Sequence, residues 1–364
     1  MCVMSESLLG LSRLALAQRL ESWGYKTVHA KPIWQHIHRD GRSDVAAIPG
    51  LPAGLAHRVQ EELPVVWPTI ALETRSSDGF TRKFLLTLAD GRQVETVLMR
   101  YDGRVTACVS TQAGCAMGCI FCATGQMGFA RHLSTAEIVG QVLAVSIGDH
   151  ERTKHHAPST EHQHPAQSTQ HPARNVVLMG MGEPLHNYAA VMAATEILAD
   201  TAGFGLSPRR ITLSTVGVVP GIRRLAAERR PISLAVSLHA ATQAGRLALL
   251  PPAAKAWPLD ELMDACCEYS AALDRHIFFE WTLIAGENDR PDDAHALGRL
   301  LSTQRAHVNL IPLNPTDGYA GAPTAPKAAR VFQDVLTTYG IPSTVRQRRG
   351  IDIASGCGQL AARS

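Results

Sequence analysis

The sequence predicts an α/β fold: a parallel sheet wrapped by helices and closed part-way into a (β/α)6 barrel, with a small helical unit ahead of it. Three observations carry this. Near-continuous apolar runs recur between residues 175 and 313, as in strands buried on both faces. Helical segments lie between or after them, the pattern of parallel strands joined by crossovers. The repeats number about six, which fits a partial barrel with its chemistry at the C-terminal strand ends.

In chain order, residues 1–70 read as the helical unit. Leu8, Leu9, Leu11, Leu14 and Leu16 fall near helical spacing, Ile33, Trp34 and Ile37 mark a second helix, and a third, 51–62, starts after Pro49-Gly50. Lys26, Lys31, His36, His38, Arg39 and Arg42 are interleaved with Trp23, Tyr25 and Trp34, which suits either an RNA platform or a solvated face over a small core. Residues 71–100 are expected to be linking strands. Phe80 to Leu88 and Val94 to Met99 form a hairpin around Ala89-Asp90-Gly91-Arg92, and Tyr101-Asp102-Gly103 turns into a strand from Val105 to Ser110.

The barrel is expected over 101–345. Ser134-Thr135-Ala136-Glu137 is a capping box opening a helix. Strands are expected at 175–180, 211–215, 232–238, 277–284 and 308–313, and helices at 259–273, 294–302 and 326–339. Residues 149–174 interrupt the pattern with His150, His155, His156, His162, His164 and His171 among Pro, Ser, Thr and Gln. They read as a disordered surface insertion, or as a metal-binding tract. Residues 346–364 form a C-terminal tail.

Composition narrows the function. At 364 residues and 45% hydrophobic content the chain can bury a large core. No apolar stretch is long enough for a membrane span, and no signal peptide is expected. Eight cysteines in a chain of this size suggest a reducing, cytoplasmic setting with thiols used for metals and chemistry. A net charge of +3 permits nucleic acid as a partner without arguing for it.

Cys115, Cys119 and Cys122 concentrate the chemistry, in a Cys-x3-Cys-x2-Cys spacing. Thiolates suit iron–sulfur clusters or zinc. Zinc sites usually draw ligand pairs from two separated places, whereas three local thiolates on a four-iron cluster leave one iron open to a ligand. Cys266 and Cys267 lie on an apolar helix and are poor partners. Met179-Gly180-Met181-Gly182-Glu183-Pro184 follows an apolar strand. It is either a tight turn or a place where backbone and carboxylate meet an ammonium group. Near the C-terminus, Cys357 stands between Gly356 and Gly358, as an incidental tail thiol or as one that swings into a site.

These stretches together resemble the RlmN/Cfr family of radical S-adenosylmethionine (SAM) RNA adenosine methyltransferases, RlmN most. The resemblance rests on Cys108–Cys115, the cysteine loop through Gly128-Phe129, Val177–Asn187, Arg209–Pro220, Ser237-Leu238-His239, Asn309–Pro315 and the Cys357-Gly358-Gln359-Leu360 tail. It implies a radical SAM barrel and a [4Fe-4S] cluster on Cys115, Cys119 and Cys122. It also implies SAM, two molecules per turnover, held at Gly182, Glu183, Ser214, Ser237, Leu238, His239 and Asn314.

The resemblance further implies that Cys357 is methylated on sulfur, that a carbon radical formed from this methyl adds to adenine, and that Cys108 resolves the adduct by forming a disulfide. Glu95 is implied as proton acceptor. The implied substrate is an adenosine of 23S rRNA, modified at C2 or, as the alternative, at C8, and an adenosine in tRNA. An external electron donor of flavodoxin type and a thiol reductant would reset a monomeric enzyme. Arg209, Arg210, Arg346, Arg348 and Arg349 are phosphate-contact candidates. The tail departs from the family, reading Ile353-Ala354-Ser355-Gly356-Cys357 where an Asp-Ala-Ala-Cys ending is commoner. A zinc-containing RNA-binding protein without catalysis is the reading from another class.

Overall fold

One ten-stranded sheet organises the chain. The computed structural model describes residues 6–152 and 173–362. Four strands lead: β1 (Thr69–Arg75), β2 (Thr81–Thr87), β3 (Gln93–Tyr101) and β4 (Arg104–Cys108). They form an antiparallel meander. A separate antiparallel pair, β5 (Gln112–Gly114) with β6 (Phe129–His132), brackets the cysteine loop. The main sheet then continues with β7 (Asn175–Leu178), β8 (Ile211–Thr215), β9 (Ser233–Ser237), β10 (Ile277–Leu283), β11 (Ala306–Pro312) and β12 (Ser343–Val345). From β4 onward every neighbouring pair is parallel, so β4 is the seam between two halves of one sheet.

Burial explains the parallel half. Val176, Ile211, Leu213, Leu234, Val236, Ile277, Phe279, Val308 and Leu310 are all fully buried; each large one contributes about 1.5–3 kcal/mol. Crossover helices cover them: α6 (Tyr188–Ala199), α7 (Val219–Ala227), α10 (Leu259–Leu273), α11 (Pro291–Leu301) and α12 (Pro326–Thr338). The short α8 (Gln243–Leu249) and α9 (Pro251–Ala256) precede α10, and the short α4 (Ala123–Gln126) follows the cysteines. Helix α5 (Thr135–Arg152) opens with the expected box: Glu137 N–H donates to Ser134 Oγ, and Ser134 N–H to Glu137 Oε2.

Helices α1 (Arg13–Ser22), α2 (Ala30–His38) and α3 (Ala53–Glu62) make up the N-terminal unit. Their burial corrects part of the reading of that unit. Trp34 and His38 are inside, stacked with ring centroids 4.0 Å apart, and burial drives the His38 pKa down to about 4. His36 is buried against Asp44. Lys26 and Lys31 remain exposed, so only part of the basic–aromatic set faces solvent. Leu14, expected near the core face, is exposed.

Residues 149–152, expected to begin the disordered insertion, continue α5, while 153–172 lie outside the described residues. Among the described residues no helix is long and apolar enough to cross a membrane.

Candidate active site

The cysteine loop is fastened at both ends and in the middle. Cys115 N–H donates to Gly128 O at 2.8 Å, joining the ends of β5 and β6, and Ile120 N–H donates to Leu249 O at 3.2 Å at the end of α8. Cys115, Cys119 and Cys122 line one cavity with Met117 and Phe121. Burial raises the Cys115 thiol to about 12 and Cys119 well above its ordinary value, with the neighbouring thiols and Glu183 adding to both. A bound metal reverses this, since a coordinated thiol is held deprotonated.

Among the described residues no three His, Cys, Asp or Glu side chains converge on a single ion. Three soft thiolates facing one cavity fit an iron–sulfur cluster, in which separate irons take separate thiolates.

The C-terminal ends of β7 to β11 supply the opposite walls. Gly180, Gly182 and Glu183 follow β7, Ser214, Thr215 and Val216 close β8, Ser237 and His239 close β9, and Thr282 and Ile311 come from β10 and β11. Gly182 has φ +103°, and a Cβ there would lie 2.5 Å from the Gln112 side chain; only glycine lets this loop pass so close to β5. Glu183 is buried, its oxygens accepting from Leu185 N–H and Val216 N–H, both at 2.9 Å. Burial lifts its pKa to about 7, and among the described residues no cation pairs with it. A desolvated carboxylate of this kind suits a ligand ammonium.

Ser214 Oγ and Ser237 Oγ are 3.5 Å apart. His239 takes a left-handed φ of +57°, and its Nδ1 accepts from Thr282 N–H at 2.9 Å. Nε2 therefore carries the ring proton. Burial and then Arg246 lower its pKa to about 3, so it is a neutral donor rather than a base. Asn314 Nδ2 donates to Cys357 O at 3.1 Å while its buried Oδ1 has no partner, an acceptor free for a ligand. Leu238 has its side chain wholly in the core, leaving only its main chain for contact.

Cys357 lines the same cavity. The residue is exposed, while the protein packed around its thiol raises its pKa by desolvation. Cys108, at the end of β4, is buried; burial, and then Cys357 nearby, push its thiol far up. Both are free thiols. Glu95, on β3, is buried too, so it is no ordinary exposed strand residue. Its Oε1 pairs with Lys83 Nζ at 2.9 Å and its Oε2 accepts from Ala361 N–H at 2.8 Å.

The segment around Cys357 is fastened to α4 and to the loop after β11. A Cβ on Gly356 would sit 2.5 Å from Asn314 Nδ2, and Gly358 has φ +84°. Gly358 O accepts from Ala123 N–H at 2.7 Å, Thr124 Oγ1 donates to Leu360 O at 2.5 Å, and Gln359 Nε2 to Pro315 O at 2.9 Å. Gly356 serves close packing and Gly358 a left-handed turn.

Three residues of the site carry no local sequence signal. Arg246 is fully buried without a carboxylate and donates to the carbonyls of Val216, Ser237 and Leu238, tying together the loops after β8 and β9. Glu280 lines the cavity and accepts from Asn309 at 2.8 Å. Lys83 reaches both Glu95 and Ala354 O.

The arginine candidates separate. Arg209 and Arg210 immediately precede β8, at the strand end remote from the cavity. Arg346 and Arg348 follow β12, on the cavity side, and Arg349 is stacked on Phe80 and Tyr101.

No protein-family model matches the sequence. Curated relatives and a solved structure do. The chain is 55% identical over 358 residues to a dual-specificity RNA methyltransferase, RlmN 1, of Myxococcus xanthus, covering 98% of this chain and 95% of the relative. It is 54% identical over 360 residues to a probable dual-specificity RNA methyltransferase, RlmN 2, of Opitutus terrae, covering 92% and 82%. A crystal structure of a radical SAM methyltransferase from Sphaerobacter thermophilus is similar with a TM-score of 0.89 and 40% identity, covering 98% of this chain and all of that one.

Proposed function

This chain belongs to the RlmN family of RNA methyltransferases, and from that premise we propose that it methylates C2 of an adenosine in 23S rRNA, and an adenosine in tRNA, by way of a methyl group carried on Cys357. The non-catalytic zinc protein is set aside by the membership. The observation that carries the reading is that Cys357 shares one cavity with Cys115, Cys119 and Cys122, with Cys108 close behind it.

When bound, the [4Fe-4S] cluster and two SAM molecules supply a transferable methyl group and a hydrogen-abstracting carbon radical. The remaining work belongs to the chain. Cys115, Cys119 and Cys122 hold the cluster, and Glu183, the Ser214–Ser237 pair, His239 and Asn314 orient SAM. Cys357 sulfur takes the methyl and, after that methyl has lost a hydrogen and bonded to the adenine carbon, tethers the base. Once one electron has passed to an oxidant, which the oxidised cluster would supply when bound, and the ring proton to Glu95, Cys108 thiolate attacks Cys357 sulfur. The S–S bond forms, the S–C bond breaks, and the freed carbon gains a proton to become the methyl group. A flavodoxin-like electron donor and a thiol reductant restore the starting state. The target base must leave its stack to reach the cavity. The domain limits that go with this are 1–70 for an RNA-binding accessory unit, 71–100 for the linking strands, 101–345 for the core and 346–364 for the tail.

The test is anaerobic reconstitution with SAM, reductant and 23S rRNA or tRNA fragments, with nucleoside mass spectrometry as readout. 2-Methyladenosine is the expected product, 8-methyladenosine moves the assignment to C8, and neither product overturns the reading.

A further inference from the structure

Lys83 and Glu95 sit diagonally on neighbouring antiparallel strands: Lys83 faces Val97, and Glu95 faces Leu85. Diagonal pairs of this kind share a face and are within reach of long side chains. The pair faces the C-terminal tail. Lys83 Nζ lies 2.9 Å from Glu95 Oε1 and donates to Ala354 O at 3.3 Å, while Glu95 Oε2 accepts from Ala361 N–H at 2.8 Å. Ala354 precedes Cys357 and Ala361 follows it. One ion pair, with 17% and 6% of its side chains exposed, therefore holds both ends of the loop that carries the cavity thiol.

We propose that Lys83 is a positioning residue: with Glu95 it forms a clasp that closes the Ala354–Ala361 loop and holds Cys357 at the cavity wall. The middle of the loop is fastened separately to the parallel half, through Asn314, Ala123 and Pro315. The clasp ties the loop itself to the antiparallel half, next to the contacts that Ser77 N–H makes with Asp352 Oδ2 at 2.7 Å and Arg349 with Phe80 and Tyr101 just before it. Ala354 is left-handed, with φ +48°, a conformation costly for a non-glycine residue; the Lys83 bond to its carbonyl holds it there.

Removing one member of a buried ion pair leaves the other charge uncompensated. Without Lys83 the Glu95 carboxylate keeps only the Ala361 N–H, and the loop loses its anchor at Ala354 as well. The clasp does not rest on the proposed function.

The experiment uses the full-length, cluster-reconstituted protein without SAM or RNA, as the parent, Lys83→Met and Lys83→Arg. Two rates are followed by mass spectrometry: hydrogen exchange in the 350–362 peptide, and iodoacetamide alkylation of Cys357, with Cys267, likewise exposed, as internal reference. Lys83→Met is expected to speed both by about tenfold or more, as loss of a local closing interaction does. Exchange across 211–237 should stay at the parent rate, and Lys83→Arg, which keeps the cation, should return both rates to within about twofold.

Parent rates in Lys83→Met overturn the proposal. So does a rise in exchange spread equally over the 211–237 region, which would make Lys83 a general stabiliser, and so does Lys83→Arg behaving like Lys83→Met. Neither readout involves methyl transfer, so failure of the clasp leaves the methyltransferase reading standing, and a chain that makes no methyladenosine can still show the clasp.

Discussion

The two halves of the one sheet divide the chemistry. In the parallel half, from β7 to β12, strand C-termini converge on a cavity whose walls hold Glu183, Ser214, Ser237 and His239. Such ends are where ligands bind in α/β sheets generally. The antiparallel half contributes no wall to that cavity, yet it holds Glu95 and Lys83 and through them the tail. Cys108 stands on the seam strand β4, paired to Val97 on one side and Val177 on the other. The cavity walls are thus parallel, and the tail is held from both halves, with Cys108 where they meet. Variants can separate the two.

The largest separation is expected at the tail. Cys357→Ala should abolish methylated nucleoside while iron and sulfide content stay at parent levels, because the cluster ligands are on another loop. Cys119→Ala should lose iron and product together. Cys108→Ala should instead accumulate a covalent protein–RNA adduct, seen as a shifted band under denaturing conditions. Free turnover of that variant would remove Cys108 from its resolving role.

Arg246 tests whether the parallel half depends on its own internal ties. Arg246→Met leaves the carbonyls of Val216, Ser237 and Leu238 without their donor. The expected loss of stability is about 2–5 kcal/mol in thermal or urea unfolding. A loss under about 0.5 kcal/mol, the range of ordinary surface changes, would show that these loops hold without it.

Glu183 gives a smaller effect with a signature in pH. Its carboxyl titrates near 7 in the fold against an ordinary 4.5. Between those values the folded chain keeps a proton that the unfolded chain releases, so stability falls as pH rises through that window. In the cluster-free protein the parent should lose about 1–3 kcal/mol from pH 4.5 to 7 on this account, and Glu183→Gln should lack that slope. SAM affinity should fall about 10- to 100-fold in Glu183→Gln, the loss expected for a charge-assisted hydrogen bond. In the parent, affinity should weaken as pH drops below about 7, as the carboxylate is protonated.

The division also explains what could be read from sequence. β8 and α10 lie where the sequence pattern put them because their apolar residues recur at strand and helix spacing and those positions are buried. β1 went unseen because it is an edge strand with Leu72 facing solvent, and β6 because Phe129 is exposed. At the site, three cysteines within one loop announce themselves. The contacts of Lys83 with Ala354 and of Glu95 with Ala361 join residues more than two hundred and fifty positions apart. No local pattern records such pairings. Glycines 356 and 358 left two readings open for a related reason: mobility, close packing and a left-handed turn all call for glycine, and only the folded chain shows Asn314 against Gly356 and a φ of +84° at Gly358.

The smallest expected effect concerns RNA, and it sets the cavity end of the barrel against the far end. Arg209 and Arg210 lie before β8, whose five residues put them roughly 16 Å from the cavity end at about 3.3 Å per residue. Arg346 and Arg348 leave β12 toward the cavity, and Arg346 is near enough to Cys357 to lower its pKa. A base inserted into the cavity brings its flanking phosphates to that rim. Arg346→Ala with Arg348→Ala should therefore weaken RNA binding about tenfold and reduce the slope of log affinity against log salt by about one per charge removed. Arg209→Ala with Arg210→Ala should change neither. If the second pair carries the salt dependence and the first does not, the RNA crosses the opposite end of the barrel, and the base cannot be delivered to Cys357 from the rim that the tail borders.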